Sequence, residues 1–281
     1  VLVVHHLSAS YRDTEAVADV DLDLTSGQVA AIVGPNGCGK STLLRAIARL
    51  HRPDAGRVLV GGADIWRLRP RQAARRVALL PQSPQAPEAI TVAGLVRYGR
   101  HPHQGLLRQW SRADEAALAE ALRTTDTLEL AHRRIDQLSG GQRQRCWLAT
   151  VLAQQTPVLL LDEPTSALDL GHQVEVLRLV RELADAGRTV VMVLHELTSA
   201  ARYADVVVAM RAGRVIATGP PREVVTADLV ADLYGVTAHV LRAPDDGVPV
   251  VVPAAAPRTP AASGPAAGHQ LAGLPGARAA G

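Results

Sequence analysis

The chain has 281 residues, 47% of them hydrophobic and 20% charged, the composition of a globular protein with room for a large core or a core plus a subdomain. Its 30 Lys and Arg against 27 Asp and Glu leave a formal net charge of +3, and aromatics at 2% offer few rings for stacking on bases, so a nucleic-acid partner is disfavoured. Two cysteines, Cys38 and Cys146, lie far apart without metal-ligand spacing, which excludes a disulfide framework and points to a reducing compartment.

The opening VLVVHHLSAS lacks the basic region and small-residue cleavage site of a signal peptide. No apolar run approaches the roughly 20 residues that span a bilayer, so a soluble chain is expected. It begins at Val1 rather than Met, which leaves the natural start open. Short alternating runs come first: VLVVHHL, VADVDLDL and RVLVGG (57–62) read as strands of an antiparallel sheet, with turn signals such as Ser26-Gly27 between them. A different kind of strand follows. VAAIVG (29–34), VALLPQ (77–82), PVLLLDE (157–163), TVVMVL (189–194) and ADVVVAM (204–210) are nearly continuous apolar runs, the mark of parallel strands buried on both faces. Helical patterns alternate with several of them, including STLLRAIARL and QVEVLRLVRELADAG, the latter closing on Gly187 as a C-cap. This alternation predicts an α/β core.

Residues 84–154 interrupt it, because TVAGLVRYGR, ADEAALAEALRTTD and GGQRQRCWLATVLAQ are all helical in pattern with no strand-like run between them. A helical subdomain inserted between two core strands is expected there. After about 236 a hairpin is expected over 237–253, with Asp246-Gly247 as its turn. From 254 to 281 the chain is Ala, Pro and Gly, too poor in large apolar groups to offset the entropy of ordering, and disorder is expected. The basic run RLRPRQAARR (67–76) is compatible with an anionic lipid surface but reads better as a solvated helix face.

The chain holds a single lysine, Lys40, within GPNGCGKST. The stretch matches GxxxxGK[ST] between a buried strand and a helix, the context of a phosphate cradle. Gly34, Gly37 and Gly39 let the backbone turn its N–H groups onto phosphate oxygens, and the helix N-terminus adds partial positive charge. Lys40 supplies a compact ammonium to the β- and γ-phosphates of ATP, and Ser41 a hydroxyl to Mg²⁺. Arginine, longer and planar, cannot enter that ring of amides in the same way. Pro35, Asn36, Cys38 and Thr42 complete the loop. VLLLD (158–162) is an apolar strand ending in Asp162, placed to hold Mg²⁺ through its water shell. Glu163 follows and can polarise an attacking water. LSGGQRQR (138–145) starts a further helix with Ser139 as N-cap and Gly140, Gly141 and Gln142 in its first turn, a second anion site that one phosphate loop does not require.

With these three elements in this order, residues 1–236 closely resemble the ATP-binding subunits of ABC transporters. The resemblance implies a P-loop NTPase core with a mainly parallel sheet, an N-terminal antiparallel β subdomain and an inserted helical subdomain. It implies that the signature turn of one subunit closes on the γ-phosphate held by a second copy. It also carries Tyr11 to an adenine-stacking position and Gln82 to a contact with Mg²⁺ and the attacking water that links the site to the membrane partner. SALD (166–169) becomes the loop that crosses the dimer interface, with Asp169 as its acid, and His195 contacts the γ-phosphate. Degenerate cassettes usually lose the glutamate, the signature glycines or the histidine; this chain keeps all of them, which implies a working ATPase.

YGRHPHQGLLRQWSRAD (98–114), LDLGHQVEVL (168–177) and the segment 195–225 are similar to the cassettes serving ferric siderophore, haem and cobalamin uptake. That similarity implies a peripheral ATPase at the cytoplasmic face of the membrane, working as a homodimer or pseudo-symmetric pair under a polytopic permease. An extracytoplasmic solute-binding protein would be an indirect partner. An importer for another solute such as manganese or zinc, and a soluble non-transport ATPase, remain open from the residues alone. The first strand, read as short, and the absence of phenylalanine depart modestly from the pattern.

Overall fold

A computed structural model describes residues 1–255 apart from 13, 106–109 and 167. The expected Ala/Pro/Gly tail thus lies outside the described residues save for its first two positions. Strands β1 (Leu2–Tyr11) and β2 (Thr14–Leu24) form an antiparallel hairpin that buries Leu2, Val4, Leu7 and Ala9 on one strand and Val17, Val20, Leu22 and Leu24 on the other. The first strand is longer than its sequence suggests. Alternation is broken where His5 and His6 together oppose Asp21, a bulge with His6 at φ 47°, so the apolar period fades midway along a strand that continues to Tyr11.

β3 (Val29–Val33) leads through the phosphate loop into α1 (Lys40–Ile47), after which β4 (Ala55–Val60) and β5 (Ala63–Asp64) complete a four-stranded sheet in the order β2-β1-β4-β5. The short α2 (Pro70–Ala74) precedes β6 (Val77–Leu80). Three helices follow, α3 (Val92–Tyr98), α4 (Arg112–Thr124) and α5 (Gly140–Ala153), with only an isolated bridge between Thr91 and Arg134 among the described residues of this stretch. β7 (Val158–Asp162), α6 (Leu170–Asp185), β8 (Thr189–Val193), α7 (Leu197–Tyr203) and β9 (Val206–Arg211) then rebuild the α/β alternation. The chain continues through β10 (Arg214–Gly219), α8 (Pro221–Val224) and α9 (Ala227–Tyr234) to a hairpin of β11 (Ala238–Arg242) and β12 (Pro249–Pro253). In the turn region of that hairpin Gly247 takes φ 67°.

The central sheet runs β10-β9-β3-β8-β7-β6, parallel except for β10, which pairs antiparallel with β9 at the edge. Every residue of β3, β7 and β8 is buried, as expected of strands covered on both faces. Their side chains alternate between two cores. Ala31, Val33, Leu159, Leu161, Val190 and Met192 pack toward the helices, while Ala30, Ile32, Leu160 and Val191 pack toward α1 and the antiparallel sheet. β10 escapes a reading based on apolar runs because its residues are only partly covered or exposed, the pattern of an edge strand with no fully buried face.

The Gly-Arg-His-Pro-His stretch has a structural explanation. Arg100, 3% exposed, donates through Nε to Asp114 at 2.9 Å and through Nη1 to the Ala153 carbonyl at 2.7 Å and Gln155 Oε1 at 2.9 Å. One side chain thereby ties the end of α3 to the start of α4 and the end of α5. A Cβ on Gly99 would lie 2.2 Å from the Thr150 carbonyl, so the same turn also needs the bare backbone to approach α5. Burial acts to raise the Asp114 pKa, but the Ser111 and Arg100 donors outweigh it and hold the carboxyl at about 2. Removing either partner leaves a buried charge alone, and Asp114→Ala or Arg100→Ala is expected to cost about 3–5 kcal/mol in urea unfolding. Because the folded pKa lies below the unfolded value of 3.8, this stabilisation is complete above about pH 4. It should fade as pH falls through about 2, and the Asp114→Ala variant should lack that component.

Candidate active site

The phosphate loop leaves the carboxyl end of β3, and its neighbours in the sheet deliver the remaining groups to the same edge. His195 lies just beyond β8, Asp162 ends β7 with Glu163 next, and Gln82 stands two residues past β6. The register aligns these ends, since Ile32 pairs with Val193, Asp162 with Val193 and Leu80 with Leu161. Ligands of open α/β sheets collect at such edges because loops there are free to converge.

Within the loop, Gly39 takes φ 104°, and a Cβ on it would sit 2.1 Å from the Ala16 carbonyl; at Gly34, φ 148°, a Cβ would sit 2.1 Å from the Met210 carbonyl. The loop is thus clamped between β2 and β9 at two points that exclude side chains. Lys40, 6% exposed, curls back so that Nζ donates to the Gly34 carbonyl at 2.9 Å and the Pro35 carbonyl at 2.8 Å. Two of its three ammonium protons go to these carbonyls, and the third has only the weak acceptor Cys38 Sγ at 4.0 Å, which an anion would outcompete. The first α1 bond runs from the Leu43 N–H to the Gly39 carbonyl at 2.9 Å, leaving the N–H groups of Lys40, Ser41 and Thr42 without intrahelical acceptors. Cys38 is buried in the core beneath α1, where burial raises its thiol pKa against the pull of Lys40, whose Nζ lies 4.0 Å from Sγ.

Ser41 Oγ donates to Asp162 Oδ1 at 3.0 Å. Asp162 is 3% exposed, and burial together with the adjacent Glu163 raises its pKa against the Ser41 bond. Glu163 adopts φ 53°, a left-handed conformation that is unfavourable for a side chain with a Cβ and gathers at functional sites. Its two oxygens take separate partners: Oε1 lies 2.7 Å from His195 Nε2, and Oε2 accepts from Gln82 Nε2 at 2.6 Å. The three side chains expected to serve hydrolysis therefore meet at Glu163, which accepts a hydrogen bond from Gln82 and lies within ion-pair distance of His195.

A cleft of about 420 Å³ contains this group, the loop residues Asn36, Gly37, Gly39, Lys40, Ser41 and Thr42, and the ring of Tyr11 at its rim. Tyr11 packs on His51 with ring centroids 4.3 Å apart and remains 43% exposed. Ala16 also lines the cleft and carries no sequence signal, being a small, half-buried residue near the start of β2. Ser139, Gly140, Gly141, Gln142 and Asp169 are outside it. Ser139 caps α5 by accepting the Gln142 N–H at 3.2 Å while Gln142 Oε1 accepts the Ser139 N–H at 3.2 Å, a reciprocal capping box. Ser139 and Gly140 are exposed on the surface. Of the expected crossing loop, Ala167 lies outside the described residues.

Residues 17–166 match the ABC transporter family model. The petrobactin import ATP-binding protein FpuD of Bacillus anthracis is 46% identical over 253 residues, covering 90% of this chain and 93% of that protein. The ferric enterobactin transport ATP-binding protein FepC of Escherichia coli is 44% identical over 248 residues, covering 88% and 92%. Among solved structures, an inward-facing metal-chelate type ABC transporter superposes with a TM-score of 0.79 at 29% identity, covering 90% of this chain and 97% of that one. A phosphate loop, a strand-end carboxylate pair and a capped Gly-Gly turn in the order of this family, on its fold and at this identity, place the chain in the ABC transporter family as an ATP-hydrolysing subunit.

Proposed function

We propose that two copies of this chain sandwich two MgATP, each copy holding the triphosphate on its own phosphate loop and closing it with the partner's signature turn. The observation that carries this reading is the incomplete site: the cleft supplies loop, base and histidine, while Ser139 and Gly140 stand exposed elsewhere on the surface. Ser139 Oγ already accepts a backbone bond, so its O–H proton is left to donate to a phosphate oxygen. Gly140 and Gly141 add the unpaired N–H groups of the first turn of α5. Gly34, Pro35, Asn36, Gly37, Cys38 and Gly39 cradle the phosphates through the backbone, with Lys40, Ser41 and Thr42 at the helix start and Tyr11 against the adenine. Asp169 approaches from the partner's crossing loop.

The residues beside the triphosphate fit Mg²⁺. Ser41 Oγ, the Asp162 carboxylate and the Gln82 amide oxygen form an all-oxygen set, and Asp162 is a buried carboxylate whose one hydrogen bond among the described residues comes from the Ser41 hydroxyl. The ion would neutralise charge on the β- and γ-phosphates. Glu163 orients and deprotonates the attacking water, and the close contact with His195 keeps that carboxylate aimed while the imidazole reaches the γ-phosphate.

The same reading places the chain under a polytopic permease at the cytoplasmic face of the membrane, with a solute-binding protein as an indirect partner. A groove of about 510 Å³ lined by Pro84, Ala86, Ile90, Arg134 and Trp147 begins two residues beyond Gln82 and offers a seat for a permease loop. Gln82 links that groove to Glu163 through its 2.6 Å bond. The cargo we propose is an iron chelate, a ferric siderophore before haem or cobalamin, on the strength of the similarity to the petrobactin and ferric enterobactin proteins.

Glu163→Gln should still bind ATP, lose hydrolysis by about 10²–10⁴-fold and accumulate as a closed dimer on gel filtration; full turnover would remove the assigned base. Lys40→Arg should lose nucleotide affinity by at least about tenfold in a fluorescent-nucleotide titration, because a planar fork cannot occupy the turn that holds Nζ. Deletion of the gene should abolish uptake of labelled ferric siderophore and leave manganese and zinc uptake intact. The opposite pattern, or failure to co-purify with a membrane subunit, would move the chain to another importer or to a soluble ATPase.

A further inference from the structure

Two segments that the proposed sandwich presents to the partner's nucleotide, the signature turn and the loop ending at Asp169, are joined by one imidazole. Asp169 caps α6: its Oδ1 accepts the His172 N–H at 2.9 Å and lies 2.7 Å from His172 Nδ1. The carboxylate assigns the proton to Nδ1, and the bonds from His172 hold the Asp169 pKa below the ordinary carboxylate value. Fixed by that bond, the ring lies against the first turn of α5. A Cβ on Gly141 would stand 2.3 Å from His172 Cδ2 and 2.7 Å from Nε2, whereas a Cβ on Gly140 would meet nothing within 4 Å. The two glycines therefore face different surroundings. Gly140 opens to solvent, and Gly141 opens to His172.

A second tie runs parallel to the first, from Gln144 Nε2 on α5 to the Pro164 carbonyl at 2.8 Å, and Gln173 Nε2 fastens the crossing loop to its own helix through the Leu168 carbonyl at 3.0 Å. With His172 in place, α5, the loop and α6 meet the partner as one body. Without the ring, the space beside Gly141 is vacated, Asp169 keeps only its backbone bond, and α5 is held to the loop by the Gln144 tie alone, so closure must also fix the spacing between the signature turn and Asp169.

We infer that His172 is a positioning residue that sets the spacing between the signature turn and Asp169, so that both reach the partner's nucleotide together. The inference rests on the ATP sandwich proposed above, and it concerns closure, leaving nucleotide binding within one copy to the phosphate loop.

The test uses the full chain in a Glu163→Gln background, where hydrolysis cannot drain the closed state. The ATP concentration at half-dimerisation is measured by light scattering, and nucleotide affinity of the monomer by fluorescent-nucleotide titration. In His172→Ala the ATP required for dimerisation should rise about tenfold while monomer affinity and Tm stay as in the parent. His172→Asn, whose amide still donates to Asp169 but lacks the ring, should fall between the two. Unchanged ATP dependence in His172→Ala overturns the inference. Should that variant fail to fold, His172→Asn is read alone, and parental behaviour there overturns the role of the ring. A Glu163→Gln parent that never dimerises with ATP would instead overturn the sandwich, so the two failures are distinguishable.

Discussion

The register of four buried parallel strands is the constraint on which the site depends. β3, β8, β7 and β6 stand side by side with their carboxyl ends aligned, and each ends in a different functional group. A slip of one residue in any of them would send its alternating side chains to the opposite core and carry the terminal polar group away from the cleft. The two cores on either face of the sheet penalise such a slip twice, because Ala31 and Ile32, or Leu160 and Leu161, are buried in different environments. Precision at the edge is thus a consequence of packing in the middle.

That rigidity also supports a conformation the backbone would otherwise avoid. Glu163 sits at φ 53° one residue past a fully buried strand, with one carboxylate oxygen accepting from Gln82 just beyond β6 and the other 2.7 Å from the His195 ring just beyond β8. Strain of this kind costs on the order of 1–3 kcal/mol and persists where surroundings over-determine it. Here the surroundings are β6 and β8. The same logic applies to the phosphate loop, held at Gly34 and Gly39 by close approach to two different strands.

The helical insertion is organised by polar contacts as much as by apolar ones. Arg100 and Asp114 form a buried pair inside it, and the capping box at Ser139 finishes the helix that carries the signature turn. In the motif similar to those of iron-chelate importers, Gly-Arg-His-Pro-His followed by an aspartate, the arginine and the aspartate thereby serve as scaffold. Both lie inside the molecule, where they fix α3, α4 and α5 relative to one another. The other such motif, His-Gln after the crossing loop, fastens that loop to α6 and sets an imidazole against α5.

The amino-acid sequence by itself determined the class of fold and the chemistry of the cleft. Strands buried on both faces leave uninterrupted apolar runs, and a phosphate cradle needs glycines, a lysine and a hydroxyl at fixed spacing, so β3, β7, β8 and the loop at 34–42 are legible one residue at a time. Bulges and edges are not: the true extent of β1 and the existence of β10 depend on pairing with distant strands, which blurs or halves the apolar period. Only the tertiary structure decided that Gln82 and His195 meet at the two oxygens of Glu163, that Ala16 shapes the cleft, and that Gly141 faces His172. The relations among Gln82, Glu163 and His195 and between Gly141 and His172 join residues 31 to 113 positions apart along the chain, and no local preference encodes a distance that long-range register alone creates.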